Sequence, residues 1–383
     1  VEDLIVTDEG ETGDPCGIII EPGDPAVMAD KVQEVISDVD LYERLSLNAR
    51  GRVEAAYDLV KVNASYNTIY RQGGAGEQTV TRPRRSMRSS TGGVGAWIRY
   101  GNPLEPGELD FAIAHYRAAI LQPWETEAAA RLKEARPDMT VLAYRCLSST
   151  RDFEPDSMRA SLRRGWLARR DNGDLVEWNT YPGHFQARVW DPDYRARWVE
   201  EVCQATAETA FDGVMADNDV FDDYYGLDLP LDGIADTAAL RAELNIFVDQ
   251  AGAGLNGVGK ILIPNVAEAR REPGRWERHS AWGGGFDECW LGWGDHHLFD
   301  EATALAQIHE LRGPGLSIVR TPDGGGGGSM SGARTSPGLY GLAAFWVFGG
   351  GEGAYTATGH DDYSRTPWFP ALDADLGRPL GRP

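Results

Sequence analysis

Between Val94 and about residue 358, short apolar runs alternate with amphipathic stretches of helical period. Parallel strands that are covered on both faces read as continuous apolar runs. A helix between consecutive runs supplies the crossover that parallel pairing needs. The runs are Gly95–Arg99, Ala118–Gln122, Thr140–Arg145, the apolar part of Phe211–Val220, Lys260–Asn265, Gly284–Glu288, Leu316–Arg320 and Gly353–Thr356. Helices are expected at Glu125–Ala135, Asp191–Thr209, Asp236–Ala253, Pro273–Trp282, Phe299–Leu311 and Leu339–Phe348. Eight such units match the roughly 250 residues of a (β/α)8 TIM barrel. An open doubly wound sheet is the alternative. The first run lacks the GxGxxG turn that many such sheets carry, so the α/β class is read here as a barrel.

A barrel collects its chemistry at the C-terminal ends of its strands. The fourth run, FDGVMADNDV, delivers Asp217-Asn218-Asp219 to such an end, and the sixth delivers Asp287-Glu288. Two carboxyl groups across a glycosidic bond, one ionised and one protonated, are what glycoside hydrolysis requires. Asp217 is assigned as nucleophile or stabiliser. Glu288 is assigned as the acid/base, because its neighbours Phe286, Cys289 and Trp290 should desolvate it and raise its pKa. The competing reading is that both residues cap helices. Other strand ends and their loops bring Trp97, Gln122, Trp124, Tyr144, Arg145, Asp219, Asn265, Arg320 and Tyr355, expected to hold the substrate. Trp290 and Trp293 are either sugar-stacking platforms or core filler.

The 12 Trp and 46 Gly suit an aromatic carbohydrate-binding face with pliable loops, and a net charge of −22 argues against a nucleic-acid partner. No apolar run reaches the 18 residues of a membrane span. The cysteines Cys16, Cys146, Cys203 and Cys289 are scattered. They form neither a zinc pattern nor a disulfide framework, which favours a reducing, cytoplasmic compartment. Asp295-His296-His297 lacks an evident third metal ligand, and the Gly324–Gly328 run lacks P-loop spacing, so no metal or cofactor is expected.

Residues 1–72 have a different character: an expected strand at Gly17–Ile20, then helices at Ala26–Ser37, Leu41–Tyr57 and Val60–Tyr70. Residues 73–93 are small, polar and basic, as in a flexible linker. The segments TDEGETG at 7–13, IIIEPGDP at 18–25, NARGRVE at 48–54 and YNTIY at 66–70 resemble the C-terminal tail of a family 4 glycosyltransferase of the GT-B fold. That resemblance implies a transferase remnant, or a chain cut from a longer bifunctional protein.

Residues 94–383 resemble hypothetical glycosyl hydrolase family 15. The carriers are LQPWE at 121–125, VLAYRCLSST at 141–150, DPDYRARW at 191–198, FDGVMADND at 211–219, GGFDECW at 284–290 and DADLGRPLG at 373–381. The fourth-strand motif is also similar to that of glycoside hydrolase family 114, the endo-α-1,4-polygalactosaminidases. The resemblance implies a barrel hydrolase with a fourth-strand Asp and a later-strand Glu as its catalytic pair. Two alternatives stand beside it: a glycosyltransferase fragment, and a non-catalytic carbohydrate-binding barrel.

Overall fold

The computed structural model describes residues 31, 33–35, 37–52, 93–99, 103–220, 222–324, 337–359, 363, 368–374 and 376. The chain divides near residue 83 into two compact units. In the first, α1 spans Val39–Arg52. Asp38 accepts the Leu41 N–H through its side chain at 3.0 Å, capping the helix start. The expected strand at Gly17–Ile20, the third helix and most of the transferase-like motifs fall outside the described residues.

The second unit is a parallel barrel. Its strands are β1 Gly95–Ile98, β2 Tyr116–Leu121, β3 Thr140–Cys146, β4 Gly213–Asp217, β5 Ile261–Pro264, β6 Gly284–Asp287, β7 Leu316–Pro322 and β8 Ala354–Thr358. Pairing runs in chain order from β1 to β5, and from β6 through β7 and β8 back to β1. Between β5 and β6 the ring is nearly closed by two parallel bridges, Leu262 to Gly283 and Asn265 to Phe286. Helices α2 Glu108–His115, α3 Thr126–Ala135, α4 Pro155–Arg164, α5 Pro192–Ala207, α6 Thr237–Gly257, α7 Arg275–His279, α8 Glu301–Gln307 and α9 Pro337–Gly349 lie between strands. Every strand expected between Val94 and residue 358 is present to within a few residues.

Two helices were not anticipated. The short α2 follows Gly107, whose φ of 90° is open to glycine. In α4 charged and small residues dilute the apolar face. Between β3 and β4, Ser149–Arg151 and His184–Gln186 form an antiparallel ribbon.

Side chains alternate along each strand. One set fills the barrel interior: Ala96, Ile98, Ala118, Ile120, Leu142, Tyr144, Met215, Ile263, Phe286, Ile318 and Ala354. The other set packs outward, as Trp97, Ala119, Leu121, Val141 and Ala143 do with α3 residues Ala128, Ala129 and Leu132. The acidic residues at three helix starts are accounted for locally. Asp191, Asp236 and Asp300 accept the backbone N–H groups of Asp193, Ala239 and Thr303.

Gly213 opens β4 where a neighbouring strand crowds it. A Cβ there would lie 2.0 Å from the Ile261 carbonyl oxygen, a backbone atom that cannot swing aside. Gly213→Ala should therefore cost about 1–3 kcal/mol, the range for overpacking. It should appear in urea denaturation as a lower midpoint with an unchanged slope.

Candidate active site

Asp217 ends β4 on the inward parity set by Met215. Its carboxylate accepts four hydrogen bonds, two on each oxygen. Oδ1 takes the Asn218 backbone N–H at 2.9 Å and Asn265 Nδ2 at 2.9 Å. Oδ2 takes the Tyr144 hydroxyl at 2.8 Å and Asn218 Nδ2 at 3.1 Å. The chain turns sharply at Asn218, whose φ is 67°. Asn218 is in turn held by the Tyr225 hydroxyl on its Oδ1 and by Ser148 Oγ on its carbonyl. Tyr225 stacks on Trp178, with centroids 3.7 Å apart.

Glu288 follows β6 with the inward parity of Phe286. Its Oε2 accepts Asn265 Nδ2 at 2.8 Å, and its Oε1 accepts the Tyr363 hydroxyl. The same amide nitrogen thus touches both carboxyl groups. Two hydrogen-bond lengths limit the separation of the bridged oxygens to less than about 6 Å. Burial, and then the facing Asp217 charge, push the Glu288 carboxyl up to about 7. The bonds from Tyr363 and Asn265 and the nearby Arg320 pull the other way without cancelling this. Two carboxyl groups with divergent environments are the arrangement that separates an acid from a base.

Parity sorts the remaining expected residues. Tyr144, Gln122, Asn265 and Arg320 share the inward register of their strands. Gln122 Oε1 and Asn265 Oδ1 are buried and have no hydrogen-bond partner among the described residues. Trp97 and Tyr355 point outward into the packing beneath the helices, Trp97 beside Tyr116 and Tyr355 beside Phe345. Neither faces the mouth, which corrects their expected place at the substrate. Arg145 also alternates outward and lines a cavity between β3, α4 and α5.

Three further expectations are corrected by burial. Asp219 lies beyond the turn at Asn218, fully enclosed, bonded to Arg275 at 2.7 Å and to His279. Arg320 is wholly buried and already committed, donating to the Gly294 carbonyl at 2.9 Å and to Thr358. Trp290 is buried in the layer beneath α9 and donates to the Gln307 carbonyl, so it is core filler. Trp124 and Trp293, 58% and 43% exposed, remain accessible on strand-end loops.

Tyr363, Tyr225 and Asn218 were not singled out from the sequence. Tyr363 and Tyr225 lie in loops after β8 and β4, and their position past strand ends was the available signal. In the sequence Asn218 stands only as the residue between Asp217 and Asp219. Among the described residues, no group of three His, Cys, Asp or Glu side chains is placed to hold a metal, and no helix is long and apolar enough to cross a membrane.

A barrel that brings a bridged carboxyl pair, with Glu288 raised by burial, to one end of its strands has the equipment of a glycosidase. The model of hypothetical glycosyl hydrolase family 15 matches residues 133–383, and the chain belongs to that family. Similar solved structures include Ega3 of Aspergillus fumigatus in complex with galactosamine. It is 13% identical over 74% of this chain and 96% of that one, with a TM-score of 0.43. The glycoside hydrolase domain of PelA from Pseudomonas aeruginosa is 17% identical over 74% and 96%, with a TM-score of 0.44. No curated protein matches the sequence.

Proposed function

We propose that the barrel cleaves O-glycosidic bonds of a polysaccharide or oligosaccharide by a retaining, two-carboxylate mechanism. The observation that carries this reading is the Asn265 amide in contact with both Asp217 and Glu288. Retaining enzymes hold their carboxyl groups about 5–5.5 Å apart, whereas inverting ones leave roughly 6.5–9.5 Å for a water. The bound of about 6 Å on the bridged oxygens supports the first geometry.

In this mechanism Glu288, protonated near neutral pH, gives its proton to the glycosidic oxygen as the C1–O bond breaks. An oxygen of Asp217 attacks C1 from the opposite face and forms a glycosyl ester. Glu288, now a carboxylate, takes a proton from an entering water. The water oxygen bonds to C1, the ester breaks, and both carboxyl groups return to their starting states. Tyr144, Asn218 and Asn265 hold Asp217 in place for attack. The buried acceptors on Gln122 and Asn265 take hydrogen bonds from sugar hydroxyls. Trp124 and Trp293 offer rings to sugar C–H faces at the rim.

The test is stereochemical. A polysaccharide panel screened for reducing-end release supplies a substrate, and proton NMR then follows the first anomer formed. It should carry the configuration of the bond that was cut, before mutarotation mixes the anomers. An inverted first product would remove Asp217 as nucleophile.

A further inference from the structure

The outward turn of Arg145 leaves a charged cavity that the proposed catalytic reading does not use. It lies between β3 and helices α4 and α5, with Arg145, Arg151, Arg197, Glu154, Glu201 and Ser157 among its lining. Arg151 is satisfied, bonded to both oxygens of Glu154 at 3.1 and 2.7 Å. Arg197 is satisfied too, with Glu200 and Glu201 each at 2.9 Å. Arg145 is not. Its ion-pair partner is that same Glu201, at 3.9 Å, beyond hydrogen-bond length. No hydrogen bond reaches its guanidinium among the described residues, although its side chain is only 22% exposed. With Glu154 taken up by Arg151, and Glu200 and Glu201 by Arg197, the charges balance, but the hydrogen-bonding capacity of the Arg145 guanidinium is left over. A largely enclosed cation with unfilled donors favours a bound anion.

From this we infer that the cavity is a binding site for a small oxyanion, a carboxylate or phosphate group, held chiefly by Arg145. The planar fork of a guanidinium matches the paired oxygens of either group. Arg197, 46% exposed, forms the outer edge of the site, and Ser157 adds a hydroxyl to its wall. One residue separates this site from the carboxylate pair. Cys146 lines the cavity and also accepts Asn218 Nδ2 at 3.2 Å, while that amide donates to Asp217. The site stands independently of whether the barrel is a retaining enzyme.

The experiment is thermal melting of the full chain at pH 7 and fixed ionic strength, in chloride, acetate or inorganic phosphate. A ligand that binds only the folded chain raises Tm in a saturable way. Tm should rise and saturate with acetate, with phosphate, or with both over the chloride baseline, and the responding salt names the group. Arg145→Leu should abolish the rise and Arg197→Gln should weaken it. Arg159→Gln, on α4 but outside the cavity lining, should leave it intact. Phosphate also stabilises proteins by exclusion from their surface. A rise that fails to saturate, or that persists in Arg145→Leu, overturns the site. Should Arg145→Leu not fold, the exposed Arg197→Gln and calorimetric titration of the wild type still decide. The absence of binding heat with both acetate and phosphate overturns it.

Discussion

Asp217→Asn is expected to reduce turnover by roughly 10⁴–10⁶-fold, the scale seen when a nucleophile is removed from a triad that acts as a unit. Asn is isosteric, its oxygen can keep the Asn218 and Asn265 N–H bonds and its NH2 can donate to the Tyr144 hydroxyl, so the fold should be retained with loss of the Asn218 Nδ2 bond. Glu288→Gln should behave differently. Loss of a general acid costs roughly 10²–10⁴-fold. That cost should shrink for an aryl glycoside whose leaving group departs without protonation, whereas Asp217→Asn stays inactive on both substrates. The pH profile carries the same assignment. Burial and the facing Asp217 charge raise Glu288 to about 7, and in the proposed mechanism it is the acid, so the active form is the protonated one. The kcat/KM of the wild type should therefore fall as pH rises through about 7. A profile flat to pH 9, or an Asp217→Asn variant that still turns over, would sink the pair.

The barrel was legible because its signal is repetitive: eight apolar runs, each short and each followed by a helical stretch. Covered parallel strands leave that pattern and little else does. The meeting of Asp217 and Glu288 was legible for a related reason, since both stand at the ends of buried runs, although Asp219 and Asp287 at the same ends are spent on structure. Asp191, Asp236 and Asp300 precede helices and are spent as caps, whereas Asp217 and Glu288 follow strands. The expected substrate contacts fared worse, and the cause is parity. Trp97 and Tyr355 sit near strand ends, but one step out of phase with the inward residues Ile98 and Ala354. Applying the period of two to every strand would have turned them outward, and Arg145 with them. Tyr363 could not be found that way. It reaches Glu288 from a loop after β8, and loop conformation has no period to read.

Asp219→Ala should be the most destabilising of the acidic-to-alanine changes around this site, and it should act on folding rather than on chemistry. Asp219, Arg275 and His279 have side chains that are 0%, 1% and 0% exposed. Burial alone would raise the Asp219 carboxyl, but Arg275 and His279 outweigh it and hold the group below its usual range. Removing the carboxylate strands the Arg275 guanidinium in the core without its partner. Breaking a buried pair from one side costs about 3–5 kcal/mol. At about 2–4 °C per kcal/mol for a domain of this size, Tm should fall by roughly 6–20 °C. The sign with pH follows from the depressed pKa. The contribution is fully present above the unfolded value of about 4 and is lost as pH falls through the folded value. Wild type and variant should therefore converge in stability under acid and diverge at pH 7. Below the melting transition the variant should retain most of its kcat, because Asn218 and not Asp219 contacts the carboxylate at Asp217. A variant with wild-type Tm and a collapsed kcat/KM would return Asp219 to the sugar.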